Sequence, residues 1–187
     1  MLEIHGKREC PFAWRVRLAA REKDVPFEWV PFDGPSPDPR AAHRNPDQRS
    51  PLLWDAGFSL TESMVIAEYL EESQGGRALM PSGPQERARA RLLLATVVRS
   101  LETVPSYAPD EAAARKQIRE GLAELEGTLS DGRIWLGGEM PMLPDLMLWP
   151  FLSLQEQDGS PIPPELPRAQ RYWQRVKEQR SLTSTRP

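Results

Sequence analysis

Cys10 is the only cysteine in this 187-residue chain, and it stands directly before Pro11. Proline is favoured at the first position of a helix, where its missing N–H would have no partner anyway. The run PFAWRVRLAAREK (11–23) has no breaker after its first residue and places Phe12, Val16, Ala19 and Ala20 at helical spacing. Cys10 then falls at the N-cap, with the first-turn amides of Phe12 and Ala13 directed toward its sulfur. Helix-end amides and the macrodipole favour an anion there, so the spacing predicts a thiolate and hence a nucleophile. Arg8 and Arg15 add positive potential if they turn inward. A lone cysteine is more often a small buried hydrophobe, and it is the strand–loop–Cys-Pro–helix context that argues for reactivity. Position 13 is Ala, so no Cys-x-x-Cys pair exists and a resolving thiol must come from outside.

Two further spots carry weaker signals. Glu62-Ser63 opens the apolar run SMVIAEYLEES, which reads as a helix capped by Ser63, and its amides could equally bind a small carboxylate. Ser50-Pro51 precedes the run Leu52–Trp54, and proline is tolerated as a strand's first residue. Two histidines and one thiol make a poor metal set, so no metal is expected.

The elements that must position these residues follow from periodicity. Leu2–His5 and Phe27–Pro31 alternate as strands around the 11–23 helix, which makes a strand–helix–strand unit with parallel pairing expected. DGPSPDPR (33–40) reads as a proline-rich loop. Leu52–Trp54 and Phe58–Leu60 flank Asp55-Ala56-Gly57 as a hairpin, and the 63–73 helix ends at Gly75-Gly76. The order βαβ, loop, ββα is complete by residue 77. ALMPSGP (78–84) reads as a linker, and 85–187 is helical in pattern. Helices are expected over 85–104, with Ala88, Leu92, Ala95, Val98 and Leu101 on one face, and over 110–129, 145–157 and 165–179. The third of these is apolar nearly all round, as a buried central helix is.

Composition closes off other classes. A net charge of −3 with interspersed Lys and Arg leaves no footprint for nucleic acid, and no apolar run is long enough to span a bilayer. MLEIHGKREC lacks an apolar leader segment, and one unpaired cysteine suits a reducing cytoplasm. His5 reads as a core or edge side chain, and Trp14, Trp149 and Trp173 as core. The arginines of 85–99 read as solvated or at a subunit contact.

The stretches CPFAWRVRLAAREKDVPFE, NPDQRSPLLWDAG and TESMVIAEYLEE occur in this order, followed by Gly137, Pro141 and Asp145 at four-residue intervals and by the closing YWQRVKEQRSLTSTRP. Together they resemble the glutathione transferase superfamily over essentially the whole chain, and the Cys-Pro-Phe-Ala start resembles its cysteine-type members, the omega class, the dehydroascorbate reductases and related bacterial proteins. The resemblance implies a thioredoxin-like N-terminal α/β domain over 1–77 and an all-α bundle over 85–187. It implies Cys10 as the catalytic thiol, Phe12 beside it, and a cis Ser50-Pro51 bond with Ser50's backbone pairing glutathione's cysteinyl part. Glu62 and Ser63 would hold the γ-glutamyl end and Arg40 or His43 the glycyl carboxylate, and the second-substrate cleft would open near Tyr107, which reads more readily as not lining it. The implied activity is glutathione-dependent thiol transfer through a mixed disulfide, with glutathione as co-substrate and a homodimer as the assembly. Conjugation, dehalogenation or isomerisation on the same site are the alternatives, as is a non-catalytic binding protein. Two positions depart from the family's habit: Ser50 stands where valine is usual, and Met142 where a capping Ser or Thr is usual.

Overall fold

The computed structural model describes residues 1–34 and 39–186, with Pro39, Arg40 and Tyr107 described in backbone only. The chain divides into two compact units, Met1–Leu79 with Ser184–Pro187, and Met80–Thr183.

The first unit is a mixed four-stranded sheet with helices. Its strands are β1 (Leu2–Gly6), β2 (Phe27–Pro31), β3 (Leu52–Asp55) and β4 (Phe58–Thr61), in the order β2-β1-β3-β4. β1 is buried along its whole length and pairs parallel to β2, as the strand–helix–strand reading requires, and antiparallel to β3. The β3–β4 hairpin closes through Ala56 and Gly57, both at positive φ (48° and 100°), the two-residue turn whose twist matches paired strands. Helices α1 (Pro11–Glu22) and α3 (Ser63–Ser73) share one core with the sheet, where Val16, Ala20, Ile66 and Leu70 meet Ile4 and Leu53. A short helix α2 (Pro39–Arg44) begins inside the stretch 33–40 expected as a loop. Six residues opening on proline are too few to show a helical period.

The far ends of α1 and α3 are tied together. Lys23 Nζ donates to Glu71 Oε2 (2.9 Å) and to the Arg77 carbonyl (3.0 Å), and the Leu79 amide donates to the same Glu71 oxygen (2.9 Å). The chain passes so close that a Cβ on Gly76, at φ +92°, would lie 2.0 Å from the Lys23 carbonyl oxygen.

The second unit is helical. It comprises α4 (Pro84–Leu93), running into a π-helical turn at Leu94–Val98, then α5 (Glu111–Thr128), α6 (Leu143–Gln157) and α7 (Pro167–Lys177). The last helix, α8 (Arg180–Thr185), begins in this unit and ends in the first. The expected face of α4 is corrected. Ala90, Leu94, Val97, Val98 and Leu101 are buried, whereas Ala88 and Ala95 are exposed and Leu92 is 62% exposed. The buried Ala90, Leu94, Val97 and Leu101 stand at i, i+4, i+7 and i+11, so the helical period is kept and the stripe that faces the core lies two residues on from Ala88, Leu92 and Ala95. By contrast α5 buries Ile118, Leu122, Leu125 and Leu129 as spaced, and α6 is buried nearly all round.

Met142 does cap nothing with its side chain, and Asp145 compensates from inside α6. Its carboxylate accepts from the amides of Leu136 (2.7 Å), Gly137 (2.9 Å) and Met142 (3.0 Å) and from the Tyr172 hydroxyl (2.9 Å), which in turn accepts from the Trp149 indole. Burial pushes the Asp145 carboxyl up to about 6 against the pull of these donors.

Candidate active site

Local geometry puts Cys10 where helix α1 begins. Cys10 is extended (φ −70°, ψ 116°), Pro11 takes the first helical position, and the Trp14 amide bonds the Cys10 carbonyl at 2.9 Å. The Cys10 amide bonds the Lys7 carbonyl (3.2 Å), closing the Lys7–Glu9 loop against the helix start. The thiol is half-buried and, against the expectation from spacing, takes no cap bond from the first-turn amides; its Sγ instead donates to the Ser50 carbonyl oxygen at 3.7 Å.

The Ser50-Pro51 bond is cis. Ser50's hydroxyl accepts from the Lys7 amide at 2.9 Å, which ties the β1–α1 loop to the start of β3. Gly6 makes the approach possible. A Cβ there would lie 2.6 Å from the Ala13 Cβ and 3.2 Å from the Ser50 Oγ.

Arg15 links this corner to the next. It is fully buried, its Cζ lies 5.2 Å from the Phe12 ring centroid, and its Nη1 donates to the Ser63 hydroxyl at 3.4 Å. Ser63 is therefore not the cap of α3, as the sequence suggested. It is the first helical residue, while Glu62 holds the N-cap without a side-chain cap bond. The Ser63 hydroxyl is engaged across the site by Arg15 and not by its own helix amides. Glu62 sits at φ +69°, ψ 107°, a conformation that costs a non-glycine residue about 1–3 kcal/mol and persists only where surroundings enforce it. Its carboxylate is exposed beside the amides that open α3.

Other expectations sort as follows. Arg8 does not turn inward; it pairs with Asp33 at 3.2 Å and both are well exposed. Phe12 is 37% exposed. His43 is exposed, and the side chains of Arg40 and Tyr107 lie outside the described residues. His5 is buried and bonded to Glu3 (3.0 Å), which also pairs with Arg44, so it is a core residue. Trp14, Trp149 and Trp173 are buried. Among the described residues no group of three or more His, Cys, Asp or Glu could hold a metal. No described helix is long and apolar enough to cross a membrane.

Sequence reasoning passed over Arg17. It stands seven residues after Cys10, two turns along on the same helix face, where side chains lean back toward the N-terminus. Burial pulls its guanidinium below its ordinary value, and a thiolate at Cys10 would act the other way. The seven-residue interval was the available signal.

Two family models cover the chain. The glutathione S-transferase N-terminal domain matches residues 4–78 and the glutathione S-transferase C-terminal domain matches residues 84–175. The chain belongs to the glutathione S-transferase family and is a glutathione S-transferase-like enzyme. It is 33% identical over 177 residues to a glutathione S-transferase of Pseudomonas putida, covering 87% of this chain and 78% of the relative. To glutathione S-transferase omega-1 of Mus musculus it is 24% identical over 161 residues, 83% of this chain and 67% of the relative. Among solved structures, a rice glutathione transferase in complex with glutathione superposes with a TM-score of 0.78 at 28% identity, over 100% of this chain and 90% of the other.

Proposed function

We propose that this protein is a glutathione-dependent thiol transferase whose nucleophile is the Cys10 thiolate. The observation that carries the reading is the placement of the one thiol at the α1 N-cap, 3.7 Å from the Ser50 carbonyl. The relatives named for the omega class and the rice relative solved with glutathione support it.

In the proposed complex, the Ser50 backbone pairs with the cysteinyl amides of glutathione beside Pro51. The γ-glutamyl carboxylate takes the Ser63 hydroxyl and the amides opening α3, where the helix dipole favours an anion. The exposed Glu62 carboxylate takes the γ-glutamyl ammonium, and its enforced backbone conformation fixes where that charge sits. Phe12 flanks the thiol. The Cys10 thiolate attacks the glutathione sulfur of a mixed disulfide RS–SG; Cys10–S–SG forms and RS⁻ leaves, taking a proton as RSH. A second glutathione thiolate attacks the glutathione sulfur of that adduct, releasing GSSG and the Cys10 thiolate. The net reaction is RSSG + GSH → RSH + GSSG. Ala13 leaves no internal resolving thiol, which makes the second glutathione obligatory. A cytoplasmic setting, with its reduced glutathione pool, goes with this chemistry.

The assembly proposed is a homodimer. The exposed Ala88 and Leu92 of α4 and Ala95 of the turn that follows it, at i, i+4 and i+7, and the exposed Phe58 and Val65 of the first unit support it.

Glutathione-dependent reduction of hydroxyethyl disulfide by wild type and Cys10→Ser tests the reading. Loss of turnover in the variant with its fold retained is the expected result. Turnover unchanged in Cys10→Ser, or conjugation to an electrophile that outlasts loss of the thiol, would instead assign the site to conjugation. Glutathione binding without turnover in wild type would leave a binding protein.

A further inference from the structure

Arg17 is a buried cation without a hydrogen-bond partner. The residue is 8% exposed, and its guanidinium stacks 4.4 Å from the Trp29 ring centroid. Its Nε and Nη2 are closed off from solvent with no acceptor, and Nη1 makes no hydrogen bond to any described residue. Nη1, which is not sealed, is thus the nitrogen left open. Cys10, two helical turns away, supplies it no hydrogen bond. A buried guanidinium left this way is costly, and a bound oxyanion is the partner that removes the cost.

Nη1 has somewhere to reach. Arg17 forms part of the wall of an open groove of about 530 Å³ at the edge strand β2, within the range of small-molecule sites. Arg21, one turn further along the same face of α1, also lines it, is exposed and makes no ion pair among the described residues. Asp24 is the single acid on the groove, so its formal charge is +1. The floor is apolar, built from Val25, Pro26, Phe27 and the Trp29 ring. Ser184 and Thr185, which belong to the same compact unit, contribute hydroxyl-bearing residues opposite, and the Trp14 indole fixes Thr185 at 2.9 Å.

We propose that this groove is a binding site for a small organic monocarboxylate with a flat apolar body, the carboxylate held between Arg17 and Arg21 and the body lying on Phe27 and Trp29. The apolar floor favours such a ligand over a bare inorganic anion, and the single net positive charge favours a monoanion over a polyphosphate.

The test is a fluorine NMR titration of the full chain with 4-fluorobenzoate, set beside the neutral 4-fluorobenzyl alcohol and competition by inorganic phosphate. Saturable binding of the benzoate is expected, with the alcohol weaker by about tenfold or more and phosphate a poor competitor. Arg17→Met and Arg21→Ala should each weaken the benzoate about tenfold, with Arg17→Lys retaining part of the affinity, whereas Ser63→Ala, which removes the hydroxyl proposed to hold glutathione, should bind it as wild type does. This last arm separates the groove from the glutathione reading, which can fail without touching it. The Trp29 indole N–H, assigned through Trp29→Phe, should shift on binding, and that readout decides the matter even if Arg17→Met does not fold. No saturable binding at millimolar benzoate, equal binding by the alcohol, full displacement by phosphate, or a Trp29 signal that stays still while benzoate binds would each overturn the proposal.

Discussion

Ser63 makes one bond in the structure that glutathione would be expected to compete for, the 3.4 Å contact from Arg15. In the proposed complex its hydroxyl and Arg15 together present one polar face to the γ-glutamyl carboxylate. Removing a hydrogen bond to a charged group weakens binding by roughly tenfold. Ser63→Ala should therefore raise the KM for glutathione about tenfold while kcat changes little, and steady-state kinetics reads the split. An equal fall in kcat would mean that Ser63 acts in the transition state as well. The residues themselves were largely legible. Cys-Pro at a helix start and Glu-Ser before an apolar run are local patterns with local physical causes. What stayed hidden is the partner each side chain takes. Ser63 resembled a cap and is engaged by Arg15, 48 positions away, while Arg8 turned outward to Asp33. Such pairings depend on long-range packing, which periodicity does not encode.

At the scale of elements, two helix ends carry measurable consequences. Gly76 passes the end of α1 at φ +92° with no room for a methyl group. Gly76→Ala combines the left-handed penalty with a backbone clash, for an expected loss of roughly 2–4 kcal/mol in denaturant unfolding. A loss under about 0.5 kcal/mol would show that the Lys23–Glu71 corner can open freely. At the other end, Asp145 is a carboxyl whose pKa rises on folding from 3.8 to about 6. The unfolded chain therefore loses this proton first, and between about pH 4 and 6 its contribution to stability falls as pH rises, by on the order of 3 kcal/mol, then levels off above that window. Asp145→Asn should lack that slope. It should also be less stable at neutral pH by about 2–4 kcal/mol, since an amide N–H₂ then faces backbone donors. Unfolding curves of both proteins from pH 4 to 8 check both signs. Element order was readable because alternation and helical spacing are strong in long segments; α2 and α8, of six residues each, were too short to display a period. The face of α4 was misread for a different reason: Ala88, Leu92 and Ala95 and the set two residues on, Ala90, Leu94 and Val97, are both apolar at helical spacing, and only packing decides which one faces the core.

For the whole molecule, the two family models account for both compact units, and the proposed homodimer is the next level of organisation. An isolated 21.2 kDa chain exposing Leu92 between Ala88 and Ala95, along α4 and the turn that follows it, carries an apolar stripe flanked by arginines. If that stripe meets a second copy, Leu92→Asp should convert a particle of twice the chain mass to one of the chain mass in light scattering, with the helical content unchanged. A wild-type protein already monomeric at micromolar concentration would contradict the dimer. The central claim concerns Cys10, and intact-mass analysis after incubation with oxidised glutathione tests it most directly. The account predicts a single glutathione adduct on wild type, reversed by reduced glutathione and absent from Cys10→Ala. A wild-type protein that stays unmodified would contradict it.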